Sequence, residues 1–187
     1  MSTESAGTRV NPRVQRTRAN ALAVAREILL DGGPAALTYT SLSDRSGLTR
    51  QTLYRHWHQR EALLADVILT GPDVGYPSAG PDARQVMIEF LTSLRAGLSD
   101  TATAAALLTI AAQAGQDPDA SDALSRIFAD RRAALNLLLE QTPVTLDPTD
   151  YLQVAGPVIT QLLIGRQPVS DYLIADTVDA WLARGQH

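Results

Sequence analysis

The 187-residue chain contains no cysteine, which excludes disulfides, thiol nucleophiles and zinc sites built on Cys. It contains no lysine either: all 16 basic residues are arginine. Histidine is scarce, at three residues, and His56 and His58 stand two apart, so on a helix their imidazoles diverge and make a poor metal pair. No HExxH, Walker or nucleophile-elbow pattern occurs, and the acids are scattered. No apolar run approaches the roughly 18 residues of a membrane helix. Residues 1–10 are rich in Ser, Thr and Gly and lack the apolar centre of a signal peptide. The expectation is a soluble cytoplasmic protein that is not an enzyme and needs no metal or cofactor. With 45% hydrophobic residues there is enough apolar material for one sizeable core or two small ones.

The formal net charge of −4 is unfavourable for a nucleic-acid binder, but the average hides an asymmetry. Residues 1–70 hold nine Arg against six Asp/Glu, a net of +3, while residues 71–187 hold seven Arg against fourteen acids, a net of −7. Between Arg9 and Arg60 the balance is nine Arg against three acids, or +6. A basic head on an acidic body suits local phosphate binding, with repulsion of DNA elsewhere. Arginine offers a planar fork for phosphate or guanine, although a codon bias towards Arg explains the absence of Lys equally well.

Residues 1–12 read as a flexible basic arm containing Arg9. A first helix is predicted from about Arg13 to Asp31, with Leu22, Ala25, Ile28 and Leu29 in one stripe, ended by Gly32-Gly33-Pro34. A second helix starts near Thr38 or Thr40 and ends at Gly47. Thr49 caps a third over about Arg50–Trp57, and a fourth runs from about Arg60 to Thr70. Gly71–Pro81 holds three Gly and three Pro and forms a linker, bounded here at residues 71–82. Five further helices follow: about Ala83–Ser99, Thr101–Gln116, Asp119–Gln141, Thr149–Arg166 and Ser170–Arg184, with a kink expected at Pro157. No repeat, heptad or strand pattern competes. The fold class is all-α, with about nine helices: a helix-turn-helix domain over residues 13–70 and a helical domain over residues 83–187.

The most informative stretch is Leu42–Trp57. Stepping about 100° per residue from Leu53 places Trp57 inward beside it, and Gln51 and Arg55 about 160° away, pointing out. Tyr54 and Thr52 lie on opposite flanks. A buried Leu/Trp seam beneath an exposed Gln/Arg ridge suits a helix in the major groove, where Arg reads guanine and Gln reads adenine while the flanks reach phosphates. The end capped by Thr49 is also an anion-binding position. His56 projects about 60° from Leu53 and fits either a packed imidazole or a phosphate contact.

Gly33, Thr38, Leu42, Ser43, Gly47-Leu-Thr, Leu53-Tyr-Arg-His-Trp57 and Arg60-Glu-Ala-Leu63 together resemble the tetracycline-repressor-like (TetR) family of transcriptional regulators, over about residues 19–69. Departures from that pattern are Ser43 and Ser46 in place of Ala, Trp57 in place of Phe, and Arg60 in place of Lys. The resemblance implies that Thr38 and Tyr39 contact the DNA backbone and that Thr40 reaches a base. Thr49 and Arg50 open the recognition helix, and Gln51, Thr52 and Arg55 read bases. Tyr54, His56 and Arg60 hold phosphates.

It also implies that residues 83–187 form a ligand-binding and dimerisation domain, whose last two helices pack against a second copy. The expected function is a ligand-responsive repressor that binds a palindromic operator in double-stranded DNA as a homodimer, with no membrane partner. A small, lipophilic effector releases it. Pocket candidates are Met87, Phe90, Leu94, Leu107 and Ile110, joined by Gln113, Phe128, Arg131, Leu135 and Gln161; each apolar member is equally suited to an ordinary core. The competing functional classes are a helical adaptor that retains only a residual helix-turn-helix and, least favoured, an enzyme.

Overall fold

The computed structural model describes residues 12–70 and 76–184; most of the expected basic arm and residues 71–75 of the linker lie outside them. Among the described residues there are nine α-helices and no strand. They are α1 (Pro12–Ala36), α2 (Tyr39–Ser46), α3 (Arg50–His56), α4 (Arg60–Leu69), α5 (Ala83–Ser99), α6 (Thr101–Gln113), α7 (Pro118–Leu138), α8 (Pro148–Ile159) and α9 (Asp171–Arg184). No helix among them is long and apolar enough to cross a membrane.

Local chemistry accounts for most of the boundaries. Side chains at Thr38, Thr49, Asp82, Asp100, Asp117 and Asp147 accept hydrogen bonds from first-turn N–H groups of α2, α3, α5, α6, α7 and α8. Pro118 and Pro148 occupy first positions, where a missing N–H costs nothing. Gly33 adopts φ 68° and breaks α1 before its final turn, as expected from Gly32-Gly33-Pro34.

Three C-terminal ends differ from the sequence expectations. α6 stops at Gln113 and α7 at Leu138, each three residues early, because turns take over the last carbonyls: Asp117 N–H bonds Gln113, and Leu139 N–H bonds both Leu135 and Asn136. Asn136 then bonds both backbone groups of Leu146, which pulls the chain back towards α8. α8 continues through Pro157, and the departure from α geometry comes three residues later, as a π turn over Thr160–Ile164. Proline removes only one ladder bond. The wider turn is closed by the Gly165 N–H on the Thr160 carbonyl.

Two hydrophobic clusters form. The first joins Leu22, Ile28 and Leu29 of α1, Leu42, Leu53 and Trp57, and Leu63–Ile68 of α4 to Ala106, Leu107 and Ile110 of α6 and Ala123 and Ile127 of α7. The second gathers Met87, Phe90 and Leu91 of α5 with Leu135, Tyr151, Val154, Val158, Ile174 and Val178. Leu94, Ile159 and Leu162 touch both. The first core therefore crosses the Gly/Pro linker: α4 and α1 are packed on α6 and α7 rather than held apart from them.

Polar ties follow the same seam. Arg26 of α1 donates to Asp100 (2.6 Å), to Thr103 (3.3 Å) and to the Val67 carbonyl of α4 (2.8 Å). Partial burial tends to raise the Asp100 carboxyl pKa, but the Thr103 hydroxyl and N–H, together with Arg26, outweigh it and hold the group below its usual value. A depressed carboxyl stabilises the fold above its ordinary titration range, and that contribution is lost as pH falls through the lower folded value. Asp100→Asn is therefore expected to lower the thermal midpoint near neutral pH. The gap to the parent should shrink as acid denaturation is followed to about pH 3; a gap independent of pH would contradict the assignment.

Candidate nucleic-acid interface

The helix-turn-helix is assembled from short-range bonds. Thr38 Oγ1 accepts from Ser41 N–H (3.0 Å), while Ser41 Oγ accepts from Thr38 N–H (3.0 Å), a reciprocal cap. Gly47 ends α2 with φ 70°, its N–H on the Ser43 carbonyl at 3.0 Å. The Ser43 hydroxyl donates to Leu48 O at 2.6 Å, closing the turn on itself. This is a use for serine where the family pattern has alanine. Thr49 Oγ1 accepts from Thr52 N–H (3.1 Å) and lies 2.9 Å from the Thr52 hydroxyl.

Leu42 and Leu53 are fully buried, and Trp57 nearly so. The seam that helical projection placed inward is thus the floor of α3. Arg50, Gln51, Tyr54 and Arg55 are exposed, and Thr52 and His56 are half-buried on the flanks. The Tyr39 and Tyr54 rings stack at 4.3 Å between centroids, and the His56 ring lies 5.3 Å from that of Trp57. Thr40 is exposed on the first turn of α2.

Arginine partners redistribute the basic charge. Arg18 and Arg26 pair with Asp66 and Asp100, and Arg45 pairs with Asp31 and Glu27 of α1. Arg60, expected on a phosphate, turns inward instead: its Nε donates to Leu37 O at 3.0 Å and its Nη2 to Pro34 O. Both carbonyls lie just after the break at Gly33, so the guanidinium ties the start of α4 to the α1–α2 connection. Tyr39, expected on the backbone, donates its hydroxyl to Trp57 O at 2.8 Å. Burial, the Tyr54 ring and Glu61 push its pKa up to about 12. Arg50 and Arg55 remain exposed on α3 with no acid paired to them among the described residues.

The carboxylate of Asp66 is the functional group that sequence reasoning missed. Its residue is 5% exposed. Oδ2 accepts from the Trp57 indole Nε1 (2.6 Å) and from Arg18 (2.5 Å), and Oδ1 from Arg126 of α7. The available signal was a single acid inside Leu63–Ile68, a run apolar on every side of the helix.

The ten pocket candidates do not converge. Met87, Phe90 and Leu135 lie in the second core, and Phe128 packs against it; Leu107 and Ile110 belong to the first core; Leu94 touches both. Gln113 is exposed at the end of α6, and the Gln161 amide donates to Pro168 O at 2.7 Å. Arg131 donates to Ile68 O (3.0 Å) and to the Tyr76 hydroxyl, its guanidinium 5.5 Å from the Tyr76 ring centre. Tyr76 stacks on Phe90 at 5.8 Å, and Phe90 and Phe128 both meet Tyr151 edge-on.

An apolar floor, a left-handed glycine turn and an exposed Gln/Arg edge on the second of two short helices define a helix-turn-helix DNA-binding protein. The profile of bacterial regulatory proteins of the tetR family matches residues 21–67. The chain is 26% identical over 179 residues, 91% of its length and 90% of the relative's, to the uncharacterized HTH-type transcriptional regulator YdeS of Bacillus subtilis (strain 168). Its fold is similar to the crystal structure of the TetR family transcription regulator SCO0332, with a TM-score of 0.71 and 27% identity, covering 90% of this chain and 97% of that one. A TetR transcriptional regulator from Rhodococcus sp. RHA1 superposes with a TM-score of 0.63 at 19% identity, over 91% of this chain and 98% of that one.

Residues 21–67 thus carry a tetR-type DNA-binding segment, and the chain over most of its length is similar to TetR-family transcriptional regulators.

The turn carries its own test. Gly47→Ala places a Cβ in open space but at φ 70°, where L-residues are strained. A loss of about 1 kcal/mol in urea unfolding is expected, with DNA affinity reduced alongside. An unchanged unfolding midpoint would show that the turn relaxes.

Proposed function

We propose that the protein is a ligand-responsive repressor that binds a palindromic operator as a homodimer. The observation that carries the DNA-reading part is the outer surface of α3: Arg50, Gln51 and Arg55 stand exposed and unpaired to acids above a floor that is wholly buried. Gln51 and Arg55, one helical turn apart, read base edges; Thr52 and Thr40 contribute from the sides. Arg50, Tyr54 and the half-buried His56 hold phosphates. Thr38 and Thr49 act as caps, and Tyr39 and Arg60 set the angle of the unit, since their polar groups are engaged within the protein.

Dimerisation through α8 and α9 is supported by large apolar side chains with no cover in the single chain. Ile164 is 69% exposed, Tyr172 77% and Leu152 51%. Single exposed residues of this kind are common, but three on the last two helices and the turn between them fit a partner helix pair. A two-fold dimer then reads half-sites about one helical turn of DNA apart, or slightly more. The effector reading rests on the Phe90–Tyr151–Phe128 aromatic group with Tyr76 and Arg131 beside it. This group suits a largely apolar molecule with an aromatic face, whose binding shifts the population towards a conformer unable to span two major grooves.

Arg55→Ala is expected to lower the preference for a selected operator over a scrambled duplex by roughly tenfold, as one bidentate base contact contributes about 1–3 kcal/mol. Arg50→Ala should instead weaken both duplexes alike and reduce the salt slope by about one. A gel shift across a salt series separates these outcomes, and unchanged discrimination in Arg55→Ala argues against base reading there. For the dimer, Ile164→Asp combined with Tyr172→Asp should halve the mass measured by sedimentation; a parent that sediments as a monomer sinks the operator geometry.

A further inference from the structure

We infer that Asp66 is a positioning residue through which the body of the protein sets the pose of the recognition helix. The inference rests on the DNA-reading role proposed for α3. Four elements meet on this one carboxylate: α4 carries it, α1 supplies Arg18, the C-terminal end of α3 supplies the Trp57 indole, and α7 supplies Arg126. Of these partners, Arg126 alone comes from the chain beyond the linker. α3 has seven residues, too few to keep a direction of its own. Its far end is fixed by Trp57 twice, through the indole N–H on Asp66 and through the backbone carbonyl that accepts from Tyr39.

Asp66 and the Trp57 ring are both buried, so neither exchanges its partner for water without local rearrangement. A buried carboxylate that loses one cation must reorient towards the other or draw in solvent. A shift of α7 against α4 that separates Arg126 from Oδ1 therefore rotates the carboxylate, and the indole, 2.6 Å from Oδ2, follows it. The same two helices are joined one turn further on by Arg131, bonded to Ile68 O. Movement of α7 thus bears on α4 at two points, Asp66 and the Ile68 carbonyl, and the first reaches α3 directly.

The experiment uses the full chain with Trp181→Phe, which leaves Trp57 as the sole tryptophan, and a labelled duplex selected by the parent protein from a randomised library. Arg126→Gln is expected to shift the Trp57 emission, although Arg126 bonds Asp66 and not the indole. It should also weaken duplex binding roughly three- to tenfold, with thermal unfolding still cooperative. Arg126→Lys keeps a cation and should restore most of both readouts. Trp57→Phe keeps the ring packing but removes the donor, and should weaken binding to a similar extent. Combined with Arg126→Gln it should add little, since both act through one carboxylate. Unchanged Trp57 emission in Arg126→Gln, or losses that multiply in the double variant, would overturn the inference. If the parent selects no duplex, the DNA-reading role of α3 fails, and the emission comparison alone decides whether Asp66 transmits from α7 to Trp57.

Discussion

The Asp66 carboxylate is almost wholly buried, so its neighbours must supply the hydrogen bonds that water would otherwise give. That requirement draws α1, the end of α3 and α7 onto α4 and fixes their distances to within a hydrogen bond. The packing around it is apolar and non-directional; Leu63, Leu64 and Val67 would tolerate several relative orientations of the helices. The carboxylate would not. It converts a greasy junction into a specified one, and it lies under the recognition helix rather than at some neutral part of the molecule.

The arginines divide into two kinds. Arg18, Arg26, Arg45 and Arg60 of the basic head bond to acids or carbonyls inside the protein, while Arg50 and Arg55 face outward from α3. Part of the exposed charge of the head therefore stands on the outward ridge of α3, with Arg16 exposed on α1 besides. Arg126 and Arg131 extend the inward-bonding set from the body, both reaching α4. The planar fork of arginine suits this work, since one side chain can hold acceptors on different elements, as Arg26 and Arg131 do.

Much of the fold was legible because the signals are local. Caps at Thr38 and Thr49, the Gly33 break and the Gly47 turn concern groups within four residues of one another, and the apolar stripe of α3 follows from a fixed angle per residue. The outward ridge of Gln51 and Arg55 was read from the same angle. The internal bonds of Tyr39 and Arg60 were not legible, since their hydroxyl and guanidinium meet carbonyls 18 and 23 or 26 residues away. The pocket residues were hardest: helical phase shows that a side chain is buried, but not which of two adjoining cores receives it, and so Leu107 and Ile110 fell with α1 and α4 rather than with Phe90 and Tyr151.

By itself, then, the sequence determined the helices, the turn and the outward edge of α3, because those depend on backbone geometry and on residues one or two turns apart. Tertiary structure decided which charges remain free for DNA and which hold the protein together, because that depends on partners brought close only by folding. Asp66 is the clearest case: Arg18 lies 48 residues before it and Arg126 lies 60 after. Nothing in the spacing of the chain joins those three until the helices pack, and only the buried carboxylate between them gives the packing its register.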